Sequence, residues 1–109
     1  MPLNDDLFSI SRERNSSTWS IMVAGDIDRA ASRRVLEEFD KALASDAAVI
    51  VVDLTRTTHL NRTGLHVLAF MRRCAGSRVR FIPSPAVARV VGYVAANELP
   101  RHGKRTFTG

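Results

Sequence analysis

Val49-Ile50-Val51-Val52-Asp53-Leu54, a polar link, and then Asn61-Arg62-Thr63-Gly64-Leu65-His66-Val67-Leu68 form the stretch on which the fold turns. Four β-branched or aliphatic residues in a row suit a strand, and short apolar runs of this type belong in the middle of a sheet covered on both faces. The run ends in one acid. A few residues later a hydroxyl followed by glycine opens an apolar segment with helical spacing. This places Thr63 as the helix N-cap, with Gly64 permitting a tight entry. The N–H groups of a helix N-terminus have no intrahelical partner, and together with the helix dipole they favour negative charge. A side-chain oxygen at that position suits a contact surface under phosphate control.

Upstream of this stretch, Leu7 to Arg12 alternates Phe8 and Ile10 with Ser9 and Ser11 and predicts a first strand. Asn15-Ser16-Ser17 has turn chemistry, and Trp19 to Ala24 predicts a second strand ending at Gly25, so the two form a hairpin. Asp28 or Ser32 caps a first helix reaching about Leu43, with Val35, Leu36, Phe39, Ala42 and Leu43 on one stripe. Downstream, Thr63 to Cys74 predicts a second helix that is apolar almost all round, with Cys74 as a buried, inert thiol and Gly76 as the stop. Val79 to Ile82 predicts a short strand. Pro83-Ser84-Pro85 then opens a third helix, with Val87, Val90, Val91 and Val94 as its apolar stripe. The expected architecture is α/β: a single layer of mixed β-sheet with about three helices packed against it. One domain spans 1–109, with its core at about 7–99. The basic segment 100–109 is either a short edge strand around Thr106-Phe107 or a disordered tail.

The totals exclude several classes. A chain of 109 residues supports one modest core, and 45% apolar with 25% charged residues is ordinary for a soluble globular domain. No run approaches the ~18 apolar residues of a membrane span. Met1-Pro2-Leu3-Asn4-Asp5-Asp6 is acidic with no apolar run, unlike a signal peptide, so the expected location is cytoplasmic, without membrane insertion. One cysteine excludes an internal disulfide and a thiolate cluster; His59, His66 and His102 lack ligand spacing, so neither a metal nor another cofactor is expected. No Ser-His-Asp order, paired carboxylates or glycine-rich phosphate loop is present, which argues against an enzyme. The formal charge of +5 comes mostly from arginines spread along the chain. They are read either as a solvated surface or as a basic face for nucleic acid, an anionic membrane or an acidic protein. Phe8, Trp19, Phe39 and Phe70 read as core residues, not stacking platforms, which makes nucleic acid the weaker option. Asp53, alone at its strand end, either hydrogen-bonds the following loop or holds a partner's cation.

Three signatures in order resemble the STAS domain, the fold of bacterial anti-sigma factor antagonists that is also found in sulfate transporters. Gly25-Asp26-Ile27-Asp28 resembles the family's Gly-Glu-Leu-Asp entry to the first helix. Val51-Val52-Asp53-Leu54 followed by Asn61-Arg62-Thr63-Gly64-Leu65 resembles its strand and phosphosite, usually Asp-Ser-Ser-Gly-Leu or Asp-Ser-Thr-Gly-Leu. Phe81-Ile82-Pro83-Ser84-Pro85-Ala86-Val87 resembles its last helix entry. The resemblance implies a regulatory protein that binds an anti-sigma factor of the serine/threonine kinase type, and is compatible with a homodimer. Thr63 is the phosphorylation candidate it implies. The partner-binding surface it implies is Asp26, Asp28 and Arg29 together with Asn61, Arg62, Thr63, Gly64 and Leu65. Asn61 stands where the family has an acid and Arg62 where it has a first hydroxyl, a local change of +2 in formal charge. That change favours a diverged adaptor that binds without phosphorylation, as a scaffold or a transporter accessory.

Overall fold

Ser16 adopts a left-handed conformation (φ 58°) and, with Ser17, reverses the chain between two strands, β1 (Phe8–Asn15) and β2 (Thr18–Ile27). The Ser17 carbonyl then accepts the N–H groups of Ala48 and Val49, so the hairpin turn seats the start of β3 (Val49–Leu60) beside β2. The computed structural model describes residues 8–98, and the expectations for Leu7 and for the tail, including Thr106-Phe107, lie outside those residues. The remaining elements are α1 (Arg29–Ala44), α2 (Arg62–Ala75), a 3-10 turn (Gly76–Arg78), β4 (Val79–Pro83) and α3 (Pro85–Glu98). The sheet order is β1-β2-β3-β4, antiparallel in the hairpin and parallel from β2 to β4.

β3 is twice as long as its apolar run. Two register shifts against β2, between Met22 and Ala24 and between Gly25 and Asp26, each put an extra residue into β3. They change its inward spacing from every second residue (Ile50, Val52, Leu54) to every third (Leu54, Thr57, Leu60). Thr57 is buried there because its hydroxyl donates to the Val23 carbonyl at 3.1 Å. A two-residue period does not detect such a stretch.

The buried positions of each strand fall on one face, where Ile21, Val23, Ile50, Val52, Leu54 and Val79 meet the apolar seams of the helices. On the other face of β3, Val49, Val51 and Asp53 are only half-buried, so the expectation of a strand covered on both faces is not met. Two further expectations fail on α2. Its buried seam runs through Gly64, Val67, Leu68 and Met71, one or two per turn, and Ala75 packs against the core in the last turn. Phe70 and Cys74, one turn apart on the neighbouring stripe, are therefore exposed, Phe70 by 44%. On α3, Val87 is buried but Val91 is exposed.

Arg78 ties the layers together. Its guanidinium donates to the carbonyls of Ala42, Leu43, Ser45 and Ala47 at 3.0–3.3 Å, at and just beyond the C-terminus of α1, where Ala42 also accepts from the N–H and hydroxyl of Ser45. At the hairpin end, Arg14 donates to Asp46 at 2.7 Å, and this hydrogen bond and charge hold the Asp46 carboxyl below its ordinary range.

Candidate functional site

The parallel strands β2 and β3 end level with each other, Ile27 opposite Leu60, and in each chain the next residue caps a helix. Asp28 Oδ1 accepts the Ala31 N–H at 2.9 Å to start α1, and Asn61 Oδ1 accepts the Gly64 N–H at 2.8 Å to start α2. Two helix N-termini thus open at the same rim of the sheet. The cap of α2 is Asn61 and not Thr63, because the helix begins at Arg62. Ser32, the other candidate cap, lies buried within α1.

Thr63 falls at the second helical position, half-buried, and its hydroxyl makes no hydrogen bond among the described residues. Its Oγ1 is therefore not needed to hold the helix. Gly64 is buried, and its role is close approach: a Cβ there would stand 2.5 Å from Leu60 Cδ1 and 3.0 Å from Ile27 Cγ2. Leu65 is half-buried and turns away from the rim, into a groove beside α2. Of the eight residues in the expected contact surface, Asp26, Asp28, Arg29, Asn61, Arg62 and Thr63 gather at the rim, while Gly64 belongs to the core and Leu65 to the groove.

Neither helix has an acid in its first turn, and each begins with an exposed arginine, Arg29 and Arg62. A cation at a helix N-terminus opposes the dipole, by roughly 0.3–1 kcal/mol where exposed. Neither arginine is placed there for stability. Register also sets His59 opposite Asp26, with Nδ1 to Oδ1 at 3.3 Å, and so adds an imidazole to the rim. Nothing in the local sequence marks His59; only the strand pairing does. Asp53 lies away from the rim, where its Oδ1 accepts the N–H and hydroxyl of Thr55 at 2.9 and 2.6 Å. The expected hydrogen bond to a following loop is instead a bond within β3, since Thr55 belongs to that strand, which continues to Leu60. Asp53 lines a shallow polar pocket of about 390 Å³ on the open face of the sheet, with Ser9, Ser11 and Arg56.

Among the described residues there is no group of three or more His, Cys, Asp or Glu able to hold a metal, and no helix long and apolar enough to cross a membrane.

Residues 10–100 match the family model described as Mlab, STAS domain, and the chain belongs to that STAS family. Its fold is that of solved anti-sigma factor antagonists. An antagonist from Mycobacterium paratuberculosis superposes with TM-score 0.72 at 21% identity, over 85% of this chain and 82% of that one. The antagonist SpoIIAA in its unphosphorylated form gives 0.64 at 20% identity, over 80% and 81%. A STAS-domain antagonist from Rhodobacter sphaeroides gives 0.54 at 19% identity, over 72% and 88%. A comparison with curated proteins finds no match.

Proposed function

We propose that this chain is an anti-sigma factor antagonist. It is a non-catalytic cytoplasmic regulator that binds a kinase-type anti-sigma factor through the rim formed by Asp26, Asp28, Arg29, Asn61, Arg62 and Thr63. The observation that carries the reading is the division of labour between Asn61 and Thr63. Because Asn61 caps α2, the Thr63 hydroxyl is left unengaged at a helix N-terminus, where its modification breaks no structural bond. A phosphoryl group there adds a charge of about −1.5 to −2 to the contact surface and blocks an acid-bearing partner. The fold shared with three antagonists supports the same reading.

A second reading is favoured by Arg62 and Arg29. Arg62 beside Thr63, with Arg29 exposed on the same rim, would pair with a phosphate and mute its repulsion, leaving an adaptor that binds its partner constitutively. The two readings separate on one variant. In the switched protein, Thr63→Glu weakens binding to the anti-sigma factor at least about tenfold, which is ~1.4 kcal/mol, while Thr63→Ala preserves it. Equal affinity of both variants, measured by calorimetry, would remove the switch. Phosphorylation that appears only in Arg62→Ser would show that the native rim has lost it.

A further inference from the structure

The geometry points to a second binding surface, which shares only Arg62 with the rim: the trough between α2 and α3 takes a helical segment of an acidic partner protein. The trough encloses about 760 Å³ over a floor of Leu54, Leu65, Leu68, Phe81, Val87 and Val91. Arg62 and Arg73 stand on its α2 wall. They are eleven residues apart on one helix stripe, with His66 and Ala69 between them, which makes the trough roughly 16 Å long at 1.5 Å per residue. That length matches three turns of a partner helix.

Charge selects the occupant. From Leu54 to Asn97 the chain carries seven arginines and no Asp or Glu, so the walls offer nothing to a cation. Arg72 is already engaged. It donates to the carbonyls of Gly76 and Val79, and its guanidinium lies 5.1 Å over the Phe81 ring. That leaves Arg62 and Arg73, exposed at the two ends of an apolar floor, to meet carboxylates. An amphipathic helix with an aliphatic ridge flanked by Glu or Asp satisfies both demands.

The other occupants fit less well. A nucleic acid strand needs exposed rings and a continuous cationic track. Here the one aromatic ring of the floor is covered by Arg72, and the free arginines are separated by apolar surface. The chain's own 99–109 sequence carries Arg101, Lys104 and Arg105 with no Asp or Glu, so it lacks the carboxylates that the trough's arginines select. A second copy presents its helical acids Glu37, Glu38 and Asp40 on α1, interleaved with Arg33, Arg34 and Lys41.

The test uses the 109-residue chain, ¹⁵N-labelled, and two synthetic helical peptides of about 18 residues. Both carry Leu at i, i+3, i+4 and i+7 spacing, one with Glu at the remaining positions and one with Lys. The Glu peptide should shift the amides of Leu65, Ala69, Val87 and Val91 and leave the open sheet face unchanged. Arg73→Glu should lower its affinity at least about tenfold and make the Lys peptide the better ligand. Ala69→Phe, which fills the trough from an exposed position, should abolish binding with the dispersed spectrum retained. Thr63→Glu should change peptide affinity by less than about threefold, which keeps failure of the rim reading distinct from failure of this one. Equal binding of both peptides, no shifts at millimolar peptide, or shifts confined to the rim would overturn the proposal. So would a single-stranded oligonucleotide that shifts the trough residues while the Glu peptide does not.

Discussion

Asn61 holds the Gly64 N–H through Oδ1, and asparagine and aspartate are near-equal in that role, so exchanging one for the other tests charge alone. We expect Asn61→Ala to lose about 1 kcal/mol of stability in urea unfolding, and Asn61→Asp to lose none. An Asp variant as weak as the Ala variant would mean that the cap acts through something besides this acceptor. Arg78 offers a larger effect, since one half-buried guanidinium serves four carbonyls at the end of α1. Arg78→Ala removes the donor from Leu43, Ser45 and Ala47, while Ala42 keeps the N–H and hydroxyl of Ser45, and should cost about 2 kcal/mol. Arg78→Lys should recover only part of that, because an ammonium has three donors and no planar fork. Arg78 lies at the opposite end of the sheet from the rim, so both Arg78 variants should leave partner binding unaltered once folded.

At the scale of the element, α2 is where the seam of a helix and the contents of its sequence part company. Its 14 residues hold more apolar positions than one seam accepts. The sequence shows the apolar surplus but not which stripe meets the sheet, and Phe70 and Cys74 fall on the stripe that does not. The order of strands and helices was legible because each has its own period and a stop, such as Gly76 after α2 or Pro85 at the first turn of α3. The second half of β3 was not, since two added residues break its alternation and only pairing with β2 reveals it. The site divides in the same way. Asp28 was legible as a cap, but the level ends of Ile27 and Leu60, which bring His59 and Asp26 together, are tertiary facts. Gly64 marks the point where α2 comes closest to those ends. Gly64→Ala adds helix propensity worth about 1 kcal/mol but places a methyl 3.0 Å from buried Ile27, and overpacking of that kind costs about 1–3 kcal/mol. The balance should be a net loss of about 1 kcal/mol, and a stabilised Gly64→Ala protein would show that Leu60 swings aside freely. Phe70→Ser, on the exposed stripe, should change stability by less than about 0.5 kcal/mol.

Over the whole molecule the cations are spread but the carboxylates are not. Met1 to Asp53 holds six Lys and Arg against ten Asp and Glu, a formal −4, and Leu54 to Gly109 holds ten against one, a formal +9. Because the sheet runs in sequence order from β1 to β4, this becomes a gradient in space: among the described residues, Phe8 to Asp53 is a formal −2, and Leu54 to Glu98 a formal +6 that is concentrated on α2, the 3-10 turn and β4. The ion pairs of the structure lie mostly on the acidic side, where Arg12 meets Glu38, Arg14 meets Asp46 and Lys41 meets Glu38. They are largely exposed, and pairs of that kind contribute little net stability. On the basic side seven arginines between Leu54 and Asn97 have no Asp or Glu among them, and their mutual repulsion opposes folding. Salt screens both effects, with a Debye length of about 8 Å at physiological strength, so the sign of the response tells which is larger. We expect repulsion to be larger, and stability to rise by about 1 kcal/mol, or ~5 °C in Tm, between low salt and 0.3 M sodium chloride. The same argument makes Arg73→Glu stabilising at low salt even as it weakens the trough for an acidic helix. Melting curves of the two proteins at both salt concentrations decide the matter. A wild-type Tm that falls with salt would mean that the exposed pairs around Arg12 and Arg14 outweigh the crowding of arginines, and that the basic side carries no strain for a partner to relieve.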